Sequence, residues 1–190
     1  MPRLLLVRHA TSVPPSPDWP DEYERPLSPL GEQQADELVG VLRAQFPDRV
    51  LSSPYRRAVQ TVAPLARALG LRVETREVLR EWRSGITGSP DWRATYRESW
   101  ERPAWSALGG ETQLALEHRA VGALRQLAAE EPPAAVTVVG SHGTWIARAL
   151  HGIGFHVDAD FWFSMPMPAV YEVDVDRHEM RASGPGLLNE

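Results

Sequence analysis

Short apolar runs alternate with helical stripes along this chain, a pattern that predicts strands joined by helices. Leu4-Leu5-Leu6-Val7 forms the first run, part of a strand over about Arg3 to Val7. Ser28-Pro29 then supplies an N-cap and a first-turn proline. Leu30, Ala35, Leu38, Val41, Leu42 and Phe46 follow at helical spacing, predicting a helix to about Gln45. Arg49-Val50-Leu51 reads as a short strand. Ser53-Pro54 repeats the capping signature ahead of Tyr55, Val59, Val62, Leu65 and Leu69, a helix closed by Gly70 and expected to kink or split at Pro64. Leu71 to Thr75 is a third strand, and Glu111 to about Glu130 a long amphipathic helix stopped by Pro132-Pro133. Val136-Thr137-Val138-Val139 is a fourth strand, followed by a short helix from Thr144 to Leu150. Ala169 to Asp176 alternates as a half-exposed strand near the sheet edge. Strands separated by helices imply an α/β, three-layer architecture, with a mostly parallel central sheet, right-handed crossovers and helices on both faces.

The stretch from Trp82 to Gly110 breaks this rhythm. It holds Trp82, Trp92, Trp100 and Trp105 with Arg83, Arg93, Arg97 and Arg102, interrupted by glycine and proline. It reads as a small cap inserted at about 82–110 in a single domain spanning 1–190. A satellite hydrophobic cluster and a lid that shapes a pocket are equally weighted readings of it.

Composition narrows the function. At 190 residues the chain buries enough apolar surface to need no disulfide or metal staple. The absence of cysteine excludes disulfides, thiolate metal sites and a Cys nucleophile. A net charge of −5 argues against nucleic acid as a partner, and no apolar stretch reaches the ~20 residues of a membrane span. The run in Met1-Pro2-Arg3-Leu4 is too short for a signal-peptide core, so a cytoplasmic place is expected. Any anion site must therefore be local.

Such a site is suggested by two histidines at two strand ends. Arg8-His9 follows the first run, and Gly140-Ser141-His142-Gly143 follows the fourth. Arg56 and Arg57 open a helix after the second strand. In open α/β sheets the carboxyl ends of the strands are where ligands bind, so both histidines and two or three arginines can converge on one anion. His118, His151, His156 and His178 have no comparable setting and are read as surface or helix-end residues. Asp18, Asp21, Glu22 and Glu24 follow a proline-rich stretch and are read as a solvated loop rather than a metal site. No Gly-rich loop followed by Lys-Ser or Lys-Thr exists, which leaves P-loop chemistry unsupported.

In order along the chain, Arg8-His9-Ala10-Thr11-Ser12, Ser53 through Arg57-Ala58-Val59-Gln60-Thr61, Leu79-Arg80-Glu81 with Gly85, Gly109-Gly110-Glu111-Thr112 and Ser141-His142-Gly143 resemble the histidine phosphatase superfamily, also called the phosphoglycerate mutase-like family. The resemblance spans roughly residues 3 to 150. It implies a phosphohistidine at His9, Arg8, Arg57 and His142 around the phosphate, Glu81 as proton donor, and Thr11 and Ser12 as substrate-binding residues. Arg56 is then the neighbour of the matching arginine. Ala10 stands where glycine is more usual and Pro15 where an asparagine often lies. Ser164 to Ala169 replaces a polar turn, so pocket shape rather than catalysis is expected to differ.

The implied chemistry suits these residue types. A phosphate monoester repels nucleophiles until cations sit on its oxygens, and the planar fork of arginine meets two of them at once. A neutral imidazole attacks without strong activation, and a carboxyl raised in pKa beside the anion protonates the departing alkoxide. For Glu81 the competing reading is a surface ion pair with Arg80 or Arg83. For Gly109-Gly110 it is a turn into the long helix, against amides that face substrate. The expected function is a metal-independent phosphomonoesterase with no cofactor and a small phosphate ester as its partner. A mutase of phosphoglycerate type and a non-catalytic phospholigand module are the alternatives, the mutase disfavoured by the short chain and the module by the retained acid.

Overall fold

The computed structural model describes residues 1–16, 21–86, 91–107, 109–176 and 179–187, so Asp18 and His178 lie outside the described residues. Strands β1 (Arg3–Arg8), β2 (Arg49–Ser52), β3 (Val73–Thr75), β4 (Val136–Ser141), β5 (Ala169–Val175) and β6 (Met180–Ser183) form one sheet in the order β3-β2-β4-β1-β5-β6. β1 to β4 run parallel, whereas β5 and β6 add an antiparallel margin. The expected mostly parallel sheet is therefore present. β6 extends it one strand beyond β5, which becomes an inner strand with alternating burial.

Among the described residues the sheet is accompanied by α-helices α1 (Pro29–Arg43), α2 (Arg56–Leu69), α3 (Trp92–Glu101), α4 (Gln113–Glu130), α5 (Gly143–Gly152) and α6 (Ala159–Ser164). Alternate residues of β1 serve both faces. Leu5 and Val7 pack with Leu42, Val62 and Leu65 under α1 and α2. Leu4 and Leu6 pack with Leu116, Leu124, Trp145 and Ile146 under α4 and α5. All four β1 side chains are excluded from water, each contributing ~1.5–3 kcal/mol by burial. The six Trp and Tyr rings of the α4 and α5 face include Trp82, Tyr96 and Trp100 of the 82–110 segment, so this segment continues the main core and is not a satellite cluster.

Several local expectations are corrected. Ser28 caps α1 as predicted, its Oγ accepting from the Gly31 amide at 3.1 Å, and Gly70 ends α2 in the left-handed region at φ 69°. However, α1 buries Gly31, Ala35 and Leu42, while Leu30, Val41 and Phe46 of the predicted stripe face solvent. The N-cap of α2 is Tyr55 and makes no side-chain cap bond, so Ser53 is not the cap. Pro64 lies inside α2 without splitting it. The Gly109-Gly110 turn is structural: the Gly110 amide donates to Ala107 and the Glu111 amide to Arg83, so neither faces a substrate. A Cβ on Gly110 would stand 2.5 Å from the Ser84 carbonyl oxygen.

Candidate active site

Strand pairing explains why the separate motifs meet. β1 lies beside β4 with Arg8 opposite Ser141, and the His9 amide donates to the Ser141 carbonyl at 3.0 Å. The next residues on each strand, His9 and His142, therefore leave the sheet side by side, their ring centroids 5.3 Å apart and edge-on. β2 flanks β4 on its other side, and the Ser53 amide donates to the Gly140 carbonyl at 2.8 Å. That places Arg57, in the first turn of α2, against His9. After β3 the chain turns back across the strand ends, held there by the Ser141 hydroxyl donating to the Leu79 carbonyl at 2.9 Å. Glu81 follows.

The His9 hydrogen bonds select a tautomer. Nδ1 lies 2.7 Å from the Ala10 carbonyl oxygen, which only accepts, so Nδ1 carries the proton and Nε2 keeps its lone pair. Arg57 Nε donates to Nε2 at 3.2 Å. Burial and then the Arg57 charge hold His9 well below the usual imidazole value, so at neutral pH the ring is neutral. His142 is likewise held well down by burial and by Arg57, and its Nε2 is 2.8 Å from the Ser53 hydroxyl. Ser53, expected as a helix cap, instead orients this histidine. His142 Nδ1 is buried and has no hydrogen-bond partner among the described residues.

Two arginines flank the histidines, both almost fully buried. Arg57 is pushed down to about 10, chiefly by burial, and stays charged at neutral pH. Its Nη1 donates to the Glu22 carbonyl at 2.8 Å and lies 3.3 Å from the Glu22 carboxylate. Arg8 donates through Nη1 to the Met165 and Pro166 carbonyls. Arg56 is exposed, as its neighbour role implied.

Among the described residues Glu81 pairs with neither Arg80 nor Arg83, and Arg80 pairs with Glu111 instead. Its Oε1 accepts from the Trp82 amide at 2.8 Å and the Trp145 amide at 3.2 Å, and its Oε2 from the Thr144 amide at 3.3 Å. The carboxyl thus sits at the N-terminus of α5, one turn from His142. Burial raises its pKa, and the amides and Arg57 only partly offset this.

Thr11 and Ser12 are anchored differently. The Thr11 carbonyl accepts from the Ser28 amide and hydroxyl, and its amide donates to Gln34, which ties it to the start of α1. The Ser12 hydroxyl accepts from Arg25 Nη1 at 2.6 Å. Arg25, which no motif marked, also forms a fork with Glu22 and adds positive charge near both histidines. Glu22 therefore belongs to a charge network and is not simply solvated. His118, His151 and His156 are exposed, as expected.

A model of the histidine phosphatase superfamily, branch 1, matches residues 4–185. The chain belongs to the histidine phosphatase superfamily. It is 30% identical over 164 residues to glucosyl-3-phosphoglycerate phosphatase of Mycobacterium tuberculosis, a match covering 76% of this chain and 72% of that protein. The native structure of the mycobacterial glucosyl-3-phosphoglycerate phosphatase superposes with a TM-score of 0.73 at 25% identity, covering 96% of each chain. A phosphoserine phosphatase mutant from Entamoeba histolytica shares the fold, with a TM-score of 0.77 at 19% identity over 98% of each chain. Family and relatives support a phosphomonoesterase, the reaction class expected from the sequence. Among the described residues no helix is long and apolar enough to cross a membrane.

Proposed function

We propose that this phosphatase hydrolyses small alkyl phosphate monoesters without a metal ion, through a phosphohistidine on His9. The observation that carries the reading is the state of His9: Nδ1–H is tied to Ala10, and Nε2 keeps its lone pair beside Arg57. In the first step Nε2 attacks phosphorus in line and the ester P–O bond breaks. Arg57 Nε leaves Nε2 and turns to a phosphoryl oxygen, while Arg8 and a hydrogen bond from neutral His142 hold the others, the two arginines supplying the charge that a metal supplies in other phosphatases. Protonated Glu81 gives its proton to the leaving alkoxide. In the second step water attacks the phosphohistidine, Glu81 takes the water proton, the N–P bond breaks and phosphate departs, restoring both groups. A glucosyl-3-phosphoglycerate, the phosphate monoester in the mycobacterial relative's name, carries its phosphate on an alkyl oxygen, so its leaving group is a strongly basic alkoxide that needs this acid.

The test is a quenched-flow reaction followed by mass analysis of the protein. The expected product is a phosphoenzyme labile in acid and stable in base, absent from His9→Ala, with turnover unchanged in excess chelator. An acid-stable phosphoenzyme, or activity lost in chelator and restored by magnesium or zinc, overturns the reading.

A further inference from the structure

The short helix α6 and its exit hold Arg8 from two sides. The Arg8 guanidinium carbon lies 5.6 Å from the Trp162 ring centroid, and Nη1 donates to the carbonyls of Met165 and Pro166 three and four residues later. Among the described residues no hydrogen-bond partner holds the buried Arg8 Nε, so the Trp162 ring and these carbonyls set the direction of the guanidinium. The fit is tight. A Cβ on Gly143 would come within 2.7 Å of Trp162 Nε1 and 3.0 Å of Arg8 Nε, so the first residue of α5 must lack a side chain for the pair to form. This gives a packing reason for glycine after His142.

Trp162 also reaches the 82–110 segment. Its ring lies 4.4 Å from that of Tyr96 in α3, tilted by 35°, and the Tyr96 hydroxyl donates to Thr144 Oγ1 at 3.3 Å, next to the Glu81 amides. Tyr96, Trp162 and Arg8 thus form a continuous stack from the inserted segment to the phosphate cradle. A cation over a partly desolvated indole is favoured by the ring quadrupole, and the planar guanidinium gains orientation as well as energy.

We propose that Trp162 is the positioning residue for Arg8, through which the inserted segment at 82–110 sets the affinity of the site for a phosphoryl group. The proposal rests on the phosphatase reading, because it needs Arg8 to bind the phosphoryl oxygens. Trp162 itself touches no reacting atom; it acts through Arg8.

The experiment is a double-mutant cycle read by calorimetric binding of orthovanadate to the intact chain. Trp162→Leu is expected to weaken vanadate binding about 2- to 30-fold, the range of a cation–π contact, and Trp162→Phe, which keeps a weaker ring, by less. On an Arg8→Ala background neither substitution is expected to weaken binding further, and Tyr96→Leu is expected to show the same loss of effect. Additive losses on that background overturn the proposal, because a general structural defect does not depend on Arg8. Trp162→Leu with wild-type affinity also overturns it. If Trp162→Leu does not fold, the Trp162→Phe cycle decides by the same criterion. Failure of the underlying reading looks different: vanadate binding unchanged by both Arg8→Ala and Arg57→Ala removes the phosphate site itself.

Discussion

Glu81→Gln separates the acid from the cradle, and its cost follows from three hydrogen bonds. Oε1 takes two amides, from Trp82 and Trp145, whereas Oε2 takes only the Thr144 amide. A glutamine with its oxygen at the Oε1 position keeps two bonds and sets its NH2 against one amide donor. One opposed donor costs ~1–3 kcal/mol, so the variant is expected to fold with stability reduced by that amount in urea denaturation. Its rate loss is larger and selective. On an alkyl phosphate, cleavage is expected to slow by about 10²–10⁴, the range of general acid catalysis, and on nitrophenyl phosphate by much less because the phenolate leaves unaided. Arg57→Ala removes charge stabilisation common to both esters and is expected to slow both by similar factors. The sign with pH also follows. Glu81 is raised, so its native state keeps a proton that the unfolded chain has lost. Between the ordinary carboxyl value and the raised one, wild-type stability falls as pH rises, and Glu81→Gln is expected to flatten that slope. Single-turnover ester cleavage with both substrates is the assay. Equal losses for Glu81→Gln on the two esters would refute its role as the acid.

Two further outcomes test the site and its support. Both histidines are held well below the usual imidazole value, so the unfolded chain binds protons first, and stability is expected to fall as pH drops below ~6.5. His9→Gln is expected to reduce that slope by about one proton between pH 7.5 and 5, and an unchanged slope in urea midpoints would contradict a buried neutral His9. Gly31→Ala sets a Cβ 1.9 Å from the Thr11 carbonyl oxygen, a backbone atom tied to Ser28. It is expected to destabilise by ~1–3 kcal/mol or more and to lower activity by shifting the loop after His9; wild-type thermal stability would show that this contact yields.

What was legible beforehand is what one segment decides by itself. The apolar runs placed β1 and β4, Ser28 capped α1, and Gly70 closed α2 because only glycine takes a left-handed φ without strain. His9 and His142 could be placed at strand ends, and the ordered motifs with their family resemblance singled out Arg8, Arg57 and Glu81. Helical spacing alone misassigned the outer face of α1, since Leu30 and Val41 repeat at the right interval but face solvent, and Phe46 lies beyond the end of the helix. Ser53 carried the pattern of a cap, yet its hydroxyl faces a histidine 89 residues away.

The remaining features belong to contacts between distant segments. Parallel pairing of β1 with β4 brings His9 beside His142, and the Arg57 Nε that meets His9 Nε2 comes from a helix 48 residues further on. Glu22 and Arg25 come from a loop with no periodicity; Arg57 donates to the Glu22 carbonyl and pairs with its carboxylate, and Glu22 and Ser12 in turn hold Arg25. α6 is too short for a period to show, and its Trp162 reaches Arg8 only because Gly143 leaves room. Local pattern governs the backbone through propensity and one-sided burial, acting over a few residues. The pKa values and the direction of each guanidinium are set by burial and by charges a few ångströms away in space, and those neighbours exist only after the chain has folded.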